Sequence, residues 1–103
     1  MSFELDVWPE TQDDIADAAA WYGDKSPGLG LQFLDMVEKS LGHVASKPKR
    51  FPSVHGDTRR ALLQRFPYGL FFFIDGPYIR VVVACLHVRQ DPDTWQLRVR
   101  GDR

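Results

Sequence analysis

An Asp-Gly dipeptide, Asp75-Gly76, separates two runs rich in Phe, Ile and Val, and this pattern is the clearest hairpin signal in the chain. Both residues tolerate the positive φ that a tight hairpin turn requires, so the two runs are predicted to pair as antiparallel strands. A third apolar run over residues 60–66 precedes Pro67-Tyr68-Gly69, which has the composition of a turn. The segment 58–88 is therefore predicted to form a three-stranded antiparallel meander.

The last predicted strand is apolar on both of its faces. Alternation assigns Ile79, Val81, Val83, Cys85 and His87 to one face and Arg80, Val82, Ala84, Leu86 and Val88 to the other. On the preceding strand, Phe71 and Phe73 are predicted to lie opposite Leu70, Phe72 and Ile74. An antiparallel sheet in a small domain normally leaves one face in contact with water. Because both faces of this sheet are apolar, each of them has to be covered by other parts of the chain or by a partner.

Two hypotheses account for the second face, because one pair of helices covers only one face. An exposed apolar patch marks an interface more often than not, so we expect a partner polypeptide to cover it. In the alternative, the loop over residues 47–57 and the C-terminal segment fold over this face within the monomer.

The N-terminal part of the chain predicts a strand followed by a helix. Residues 3–8 alternate apolar and acidic side chains, as in a half-exposed strand. Pro9 can open a helix, because the first helical turn does not need its missing N–H. An apolar helical face extends over residues 10–22, and residues 23–26 are predicted to break the helix.

A second, longer helix is predicted to start at Ser26-Pro27 and to end before Pro48. Its apolar stripe is predicted to contain Gly30, Phe33, Leu34, Val37, Leu41 and Val44. The two helices then form an antiparallel hairpin that covers one face of the sheet.

The C-terminal part is predicted to end in a turn over residues 89–94 and a short segment over residues 95–100, either a last edge strand or an arm. The predicted order of elements is β-α-α-β-β-β. This is an α+β fold in which a helical hairpin packs on one face of an antiparallel sheet. The length of the chain allows one domain, residues 1–103.

Composition restricts the class of protein. The chain is 44% hydrophobic, which favours a folded domain over a disordered one. Its single cysteine cannot form an internal disulfide, which suits a reducing compartment. The first residues lack the pattern of a signal peptide, and no apolar run approaches a bilayer span. We therefore expect a cytoplasmic protein with no membrane partner.

Charge is unevenly distributed along the chain, although the net charge is only −1. Residues 1–46 carry nine acidic and two basic side chains, whereas residues 47–103 carry eleven basic and five acidic ones. Global electrostatics therefore neither demand nor supply a polyanionic partner, but the sheet half of the chain is basic.

A series of short motifs follows a defined order along nearly the whole chain. They are Ala18-Ala19-Ala20-Trp21-Tyr22, Pro27-Gly28-Leu29-Gly30 with Phe33-Leu34, Pro48, Phe51-Pro52, Arg59-Arg60 with Leu62-Leu63, Arg65-Phe66-Pro67-Tyr68, and residues 87–92 with Trp95 and Arg98. Their joint order and spacing resemble the RelE/ParE superfamily of bacterial toxins. The resemblance implies a growth-arresting toxin of a type II toxin–antitoxin, or plasmid stabilisation, module. It also implies a cognate antitoxin whose C-terminal segment wraps the helices and the sheet.

The ParE-like branch of this superfamily is favoured by Trp21-Tyr22, by Arg65-Phe66-Pro67-Tyr68 and by residues 87–92 with Trp95. ParE-like members resemble non-enzymatic poisons of DNA gyrase. The candidate target-binding residues in that case are Arg89, Trp95, Arg98 and Arg100. Trp95 has an alternative explanation, because a tryptophan after a turn usually anchors a tail to the core.

The RelE-like branch is the alternative, and its members resemble ribonucleases that cut messenger RNA in the ribosome. Such cleavage needs a base for the 2′-hydroxyl, cations for the charged phosphorane and an acid for the leaving oxygen. The candidate catalytic residues, only if the protein is RelE-like, are Arg60, Arg65, Arg80, His87 and Arg89, and Lys47, Lys49 and Arg50 could hold phosphates. His87 is also explained as a structural histidine.

A third hypothesis is a degenerate member of the superfamily that binds antitoxin without being toxic. No spacing of His, Cys, Asp and Glu resembles a metal site, and no glycine-rich loop resembles a phosphate cradle. We therefore expect no metal and no cofactor.

Overall fold

The computed structural model describes residues 4–77, 79–90 and 92–100, in which one strand, two helices, four strands and a last helix follow one another. The strands are β1 (Glu4–Val7), β2 (Ser53–His55), β3 (Thr58–Leu62), β4 (Tyr68–Asp75) and β5 (Ile79–His87). The helices are α1 (Pro9–Lys25), α2 (Leu29–Ser46) and α3 (Asp93–Arg100), with a short 3₁₀ turn at Pro48–Arg50. The predicted α+β class, the helical hairpin and the meander of β3, β4 and β5 are confirmed.

The sheet is mixed, whereas the sequence predicts an antiparallel one. Its strand order over the described residues is β1-β5-β4-β3-β2. β1 pairs in parallel with β5, with Glu4 opposite Ile79 and Val7 opposite Val82. The long connection from β1 through both helices and the first strands of the meander allows this, because parallel strands need a crossover rather than a tight turn.

The helix boundaries differ from the predicted ones at the α1–α2 junction. α1 continues to Lys25, and α2 begins only after Gly28, whose φ is +83°. The left-handed conformation at Gly28 favours glycine, which explains why the helix does not start at Ser26-Pro27. A Cβ atom on Gly30 would lie 2.5 Å from the carbonyl oxygen of Ala19, so this glycine lets the two helices pack closely.

The buried face of α2 is rotated relative to the predicted stripe. Phe33, Val37 and Val44 are buried, but Leu34 is 39% exposed. Successive helical residues are rotated by about 100°, so Leu34 cannot share the direction of the fully buried Phe33. The assignment of Leu34 to the core face is wrong.

A β-bulge changes the two faces of β5. Phe71 pairs with Ala84 and Phe72 pairs with Val82, so Val83 is an extra residue on β5. One inserted residue reverses the alternation beyond it. Cys85 therefore joins Val82 in the core under the helices, whereas Ala84 and Leu86 join Val81 and Val83 in the second core. The predicted placement of Cys85 and His87 beside Val83 is wrong for this reason.

The second face of the sheet is covered by the chain itself. Residues 95–100, predicted as a strand or an arm, belong to α3, where Trp95 and Val99 are one helical turn apart. Trp95 stacks on Phe71 with ring centroids 4.8 Å apart, and Trp8 meets Phe73 edge-on at 6.5 Å. Phe71 is only 6% exposed. The expectation that a partner polypeptide covers this face is therefore wrong.

Two segments of the predicted loops have regular structure. The loop over residues 47–57 contains the 3₁₀ turn and β2, which pairs with β3 at the edge of the sheet. The predicted strand over residues 60–66 is displaced toward the N-terminus. The last residues of that range form a turn in which Arg65 has a φ of +73°.

Candidate functional site

An open groove runs between α1 and the outer edge of β5, and we call it the edge groove. β1 pairs with β5 only as far as Val82, whose carbonyl oxygen also accepts from the N–H of Trp8 at 3.1 Å. Beyond Val82, no described strand pairs with the outer edge of β5. The edge groove has a volume of about 580 Å³ and is lined by Asp17, Trp21 and Tyr22 of α1 and by Cys85, Leu86 and His87 of β5.

An ion pair satisfies the first polar groups of this open edge. The Oδ2 atom of Asp14 accepts from the backbone N–H of Cys85 at 3.0 Å and from Nη1 of Arg98 at 2.7 Å. Nη1 of Arg98 also donates to the carbonyl oxygen of Val83 at 3.0 Å. The pair thus connects α1, β5 and α3, an arrangement that the sequence does not reveal because Asp14 and Arg98 are 84 residues apart.

Aromatic side chains form one wall of the edge groove. Trp21 is 54% exposed, meets Tyr22 edge-on at 5.1 Å and lies 4.8 Å beneath Nζ of Lys25. Tyr22 in turn stacks on the buried Phe33 at 5.4 Å. An exposed tryptophan supported by a rigid core residue is typical of an interface hot spot.

The two tyrosines and the cysteine that line the edge groove have raised pKa values. Burial raises the pKa of Tyr22. Burial is also the main cause that raises the pKa of Tyr68, and the nearby Tyr22 and Cys85 raise it further. Burial, and secondarily the charge of Asp14, raise the pKa of the Cys85 thiol to about 12. A nucleophilic cysteine requires a lowered pKa, so Cys85 is a core residue rather than a reactive one.

Two of the candidate catalytic residues line a second groove at the end of β5, which we call the Arg60–His87 groove. His87 lines both this groove and the edge groove. The Arg60–His87 groove is also lined by Phe71, Gln90 and Trp95. Nε of Arg60 is buried and has no hydrogen-bond partner in the described chain. Nδ1 of His87 accepts from the backbone N–H of Arg89 at 3.0 Å, and its ring packs against Tyr68 at 5.3 Å.

The other candidate catalytic residues are dispersed. Arg65 donates to the side-chain oxygen of Gln32 at 3.4 Å, at the start of α2. Arg80 and His87 stand near opposite ends of β5, and their seven-residue separation corresponds to about 23 Å along a strand. Arg89 is in the exposed turn after β5. One phosphodiester cannot contact both Arg80 and His87.

The candidate target-binding residues differ in accessibility. Trp95 is 6% exposed and packs in the second core, and Arg98 is engaged with Asp14 and Val83. Arg89 is exposed. Arg100 is the last residue of α3, but its side chain lies outside the described part of the structure.

No group of three His, Cys, Asp or Glu side chains among the described residues is arranged to hold a metal ion. None of the described helices combines the length and the apolar character needed to cross a bilayer.

The fold has a counterpart among solved structures. A chain from the structure described as "Chromosomal ParDE TA system from P. aeruginosa" superposes with a TM-score of 0.73, covering 82% of this chain and 95% of that chain at 15% identity. The predicted RelE/ParE-like fold is thereby confirmed, and identity at this level establishes the fold alone. No protein-family model matches the sequence, and no curated protein is significantly similar to it.

Proposed function

We propose that this protein is the toxin of a type II toxin–antitoxin, or plasmid stabilisation, module and a non-enzymatic, ParE-like poison of DNA gyrase. The observation that carries the proposal is the fold, which matches 95% of a chain from a ParDE TA system. The ordered motifs from Ala18 to Arg98 support it from the sequence. Gyrase and an antitoxin are cytoplasmic, so we propose the same location for this chain.

The edge groove is the site at which we propose that the antitoxin binds. An extended segment can add to an open sheet edge through main-chain hydrogen bonds, while pockets beside the edge select its side chains. The outer edge of β5 beyond Val82 has no described strand partner, and Trp21 offers an exposed aromatic anchor beside it. These features favour a peptide strand over a small molecule.

The dispersed arginines support a non-enzymatic mechanism. Metal-free RNA cleavage needs a base, an acid and cations around one phosphodiester. His87 is the histidine that lines the Arg60–His87 groove, and its Nδ1 already accepts a hydrogen bond from the N–H of Arg89. A second acid–base group is missing from the described lining of that groove.

The proposal is tested by growth and by gyrase activity. Expression of the chain alone should arrest growth, and co-expression of the neighbouring reading frame should restore it. Purified protein should inhibit supercoiling by gyrase. Normal growth despite soluble expression would instead support a degenerate member that binds antitoxin only.

Trp21→Ala tests the antitoxin site. The substitution should weaken rescue by the antitoxin while leaving toxicity and thermal stability unchanged, because Trp21 is 54% exposed. Leu97→Ala is the matched control, since Leu97 is 60% exposed on α3. Equal rescue of both variants would contradict the assignment.

A RelE-like ribonuclease is the second candidate function, and it is favoured by the shared groove of Arg60 and His87. In that case the protein cleaves ribosome-bound messenger RNA, and gyrase is unaffected. His87→Ala separates the two candidates. Loss of toxicity with the fold retained supports acid–base chemistry, whereas unchanged toxicity supports the gyrase poison.

A further inference from the structure

Four basic side chains converge on a groove far from the edge groove, and we call it the basic groove. Lys47, Lys49 and Arg50 lie at the end of α2 and in the 3₁₀ turn, and Arg80 lies at the start of β5. The groove has a volume of about 470 Å³, and none of its described lining residues is acidic. In a chain of net charge −1, this is a local concentration of positive charge.

Three of the four cations lie at the rim of the basic groove, where a ligand can reach them. Lys47, Lys49 and Arg50 are exposed, and their side chains form no hydrogen bond or ion pair with any described residue. Arg80 forms the floor, because it is only 5% exposed and its Nη1 donates to the carbonyl oxygen of Pro77 at 3.2 Å. Charges at a rim and a floor can surround an anionic group rather than merely border it.

The backbone that carries the rim is held in place. Nη1 of Arg59 donates to the carbonyl oxygen of Phe51 at 2.6 Å and to that of Lys49 at 3.4 Å. Phe51 packs edge-on against the buried Phe72 at 5.9 Å. A braced backbone lowers the entropic cost of binding, because less has to be ordered when a ligand arrives.

The walls of the basic groove are apolar. Pro48, Ile74 and Pro77 line it between the cations. A phosphate backbone gains nothing from such walls, whereas a peptide that carries both carboxylates and apolar side chains uses the walls and the rim together.

We propose that the basic groove binds an extended peptide segment in which Asp or Glu alternates with apolar residues. The assignment of this segment to the antitoxin rests on the proposed function. This contact is separate from the edge groove, because Trp21 lies near the start of α2 and Lys47 follows its end, about 27 Å away along its 18 residues. Nucleic acid is disfavoured, since its affinity grows with the number of phosphates neutralised and four cations neutralise few.

The experiment uses the full chain and a synthetic probe. A fluorescein-labelled peptide of eight alternating Glu and Leu residues is titrated and followed by fluorescence anisotropy, beside a peptide with Gln in place of Glu and a single-stranded RNA of eight nucleotides. We expect the acidic peptide to bind most tightly. Lys49→Glu should weaken that binding by about tenfold, as expected for the loss of one charge-assisted contact.

The matched control is Lys39→Glu, which makes the same charge change on the exposed surface of α2, about 12 Å from Lys47 along the helix. Its affinity for the acidic peptide should stay within about twofold of the parent, because exposed charges beyond a Debye length are largely screened. Circular dichroism checks that both variants are folded.

Three results would overturn the inference. The acidic peptide could bind no more tightly than its Gln counterpart, or both variants could weaken peptide binding equally. In the third result, the RNA binds more tightly than the acidic peptide, and Lys49→Glu abolishes the RNA binding. Growth arrest and rescue test the proposed function separately. If the neighbouring frame rescues growth while the peptide does not bind, the proposed function stands and this inference fails. If the peptide binds but expression arrests no growth, the reverse holds.

Discussion

The two faces of the sheet are covered in different ways. One face lies under α1 and α2, which have 17 and 18 residues and bury Phe33, Val37 and Val44. The other lies under α3, which has eight residues and holds its position through Trp95 and through Arg98. Helices as short as α3 are marginal on their own, so its stability comes from these contacts.

One sheet thus combines a large core on one face with a cover on the other face that depends on a few contacts. Local unfolding begins where few apolar contacts hold an element. We therefore expect the α1–α2 face to determine global stability. Local unfolding of α3 should cost less free energy than global unfolding. Substitutions on the two faces should therefore destabilise the protein to different extents.

Phe33→Ala should produce the largest loss of stability. Phe33 is fully buried and its ring contacts Tyr22, Phe66 and Tyr68, so its removal should lower the free energy of unfolding by about 4 kcal/mol. Urea denaturation measures this value. Leu34→Ala is the control and should cost less than about 1 kcal/mol, because Leu34 is 39% exposed.

Trp95→Ala should lower the free energy of unfolding by about 3 kcal/mol, because it removes the stacking partner of Phe71. We expect the effect to be local, with amides of α3 and β5 losing hydrogen-exchange protection before those of α2. A uniform loss of protection across both cores would show that the two covers unfold as one unit.

Arg98→Met should cost about 1–3 kcal/mol, because it leaves the carboxylate of Asp14 and the carbonyl oxygen of Val83 without their shared donor. Arg98→Lys should recover part of the loss, since lysine keeps the charge but not the forked geometry. Thermal denaturation of the three proteins gives the order, and an Arg98→Met variant as stable as the parent would contradict a role for this pair in holding α3.

Cys85→Val should have the smallest effect at neutral pH, because ionisation of the thiol changes stability only in alkali. Because burial raises the pKa of its thiol from 9.0 to about 12, the unfolded chain loses this proton first as the pH rises. The contribution of the neutral thiol is thus present below pH 9 and disappears between pH 9 and about 12. Cys85→Val should flatten that part of the stability profile, and the native thiol should not react with a thiol-specific reagent at pH 8.

Local patterns in the sequence were sufficient for much of the fold. Asp75-Gly76, the Phe- and Val-rich runs and Pro9 each act through their own backbone preferences or those of close neighbours. They led to the meander, the helical hairpin and the α+β class. The prediction of an exposed second face failed because a short alternating segment, Trp-Gln-Leu-Arg-Val-Arg, fits both a strand and a helical turn.

The candidate site was less predictable. Arg60 and His87 do share a groove, but Arg80 does not belong to it, and Trp95 is a core residue. The bulge at Val83 is invisible in the sequence, yet it decides which way Cys85 and His87 face. The edge of β5 beside Trp21 is open because β1 ends opposite Val82. The sequence alone does not show that β1 pairs with β5.

Local sequence was sufficient to predict α1, α2 and the meander of β3, β4 and β5, since those elements depend on residues that are close along the chain. What covers the second face, which cations share the basic groove and which edge stays open follow from the three-dimensional fold. These outcomes depend on contacts between residues such as Asp14 and Arg98, and the pairing of distant side chains is selected by packing and desolvation rather than by local preference.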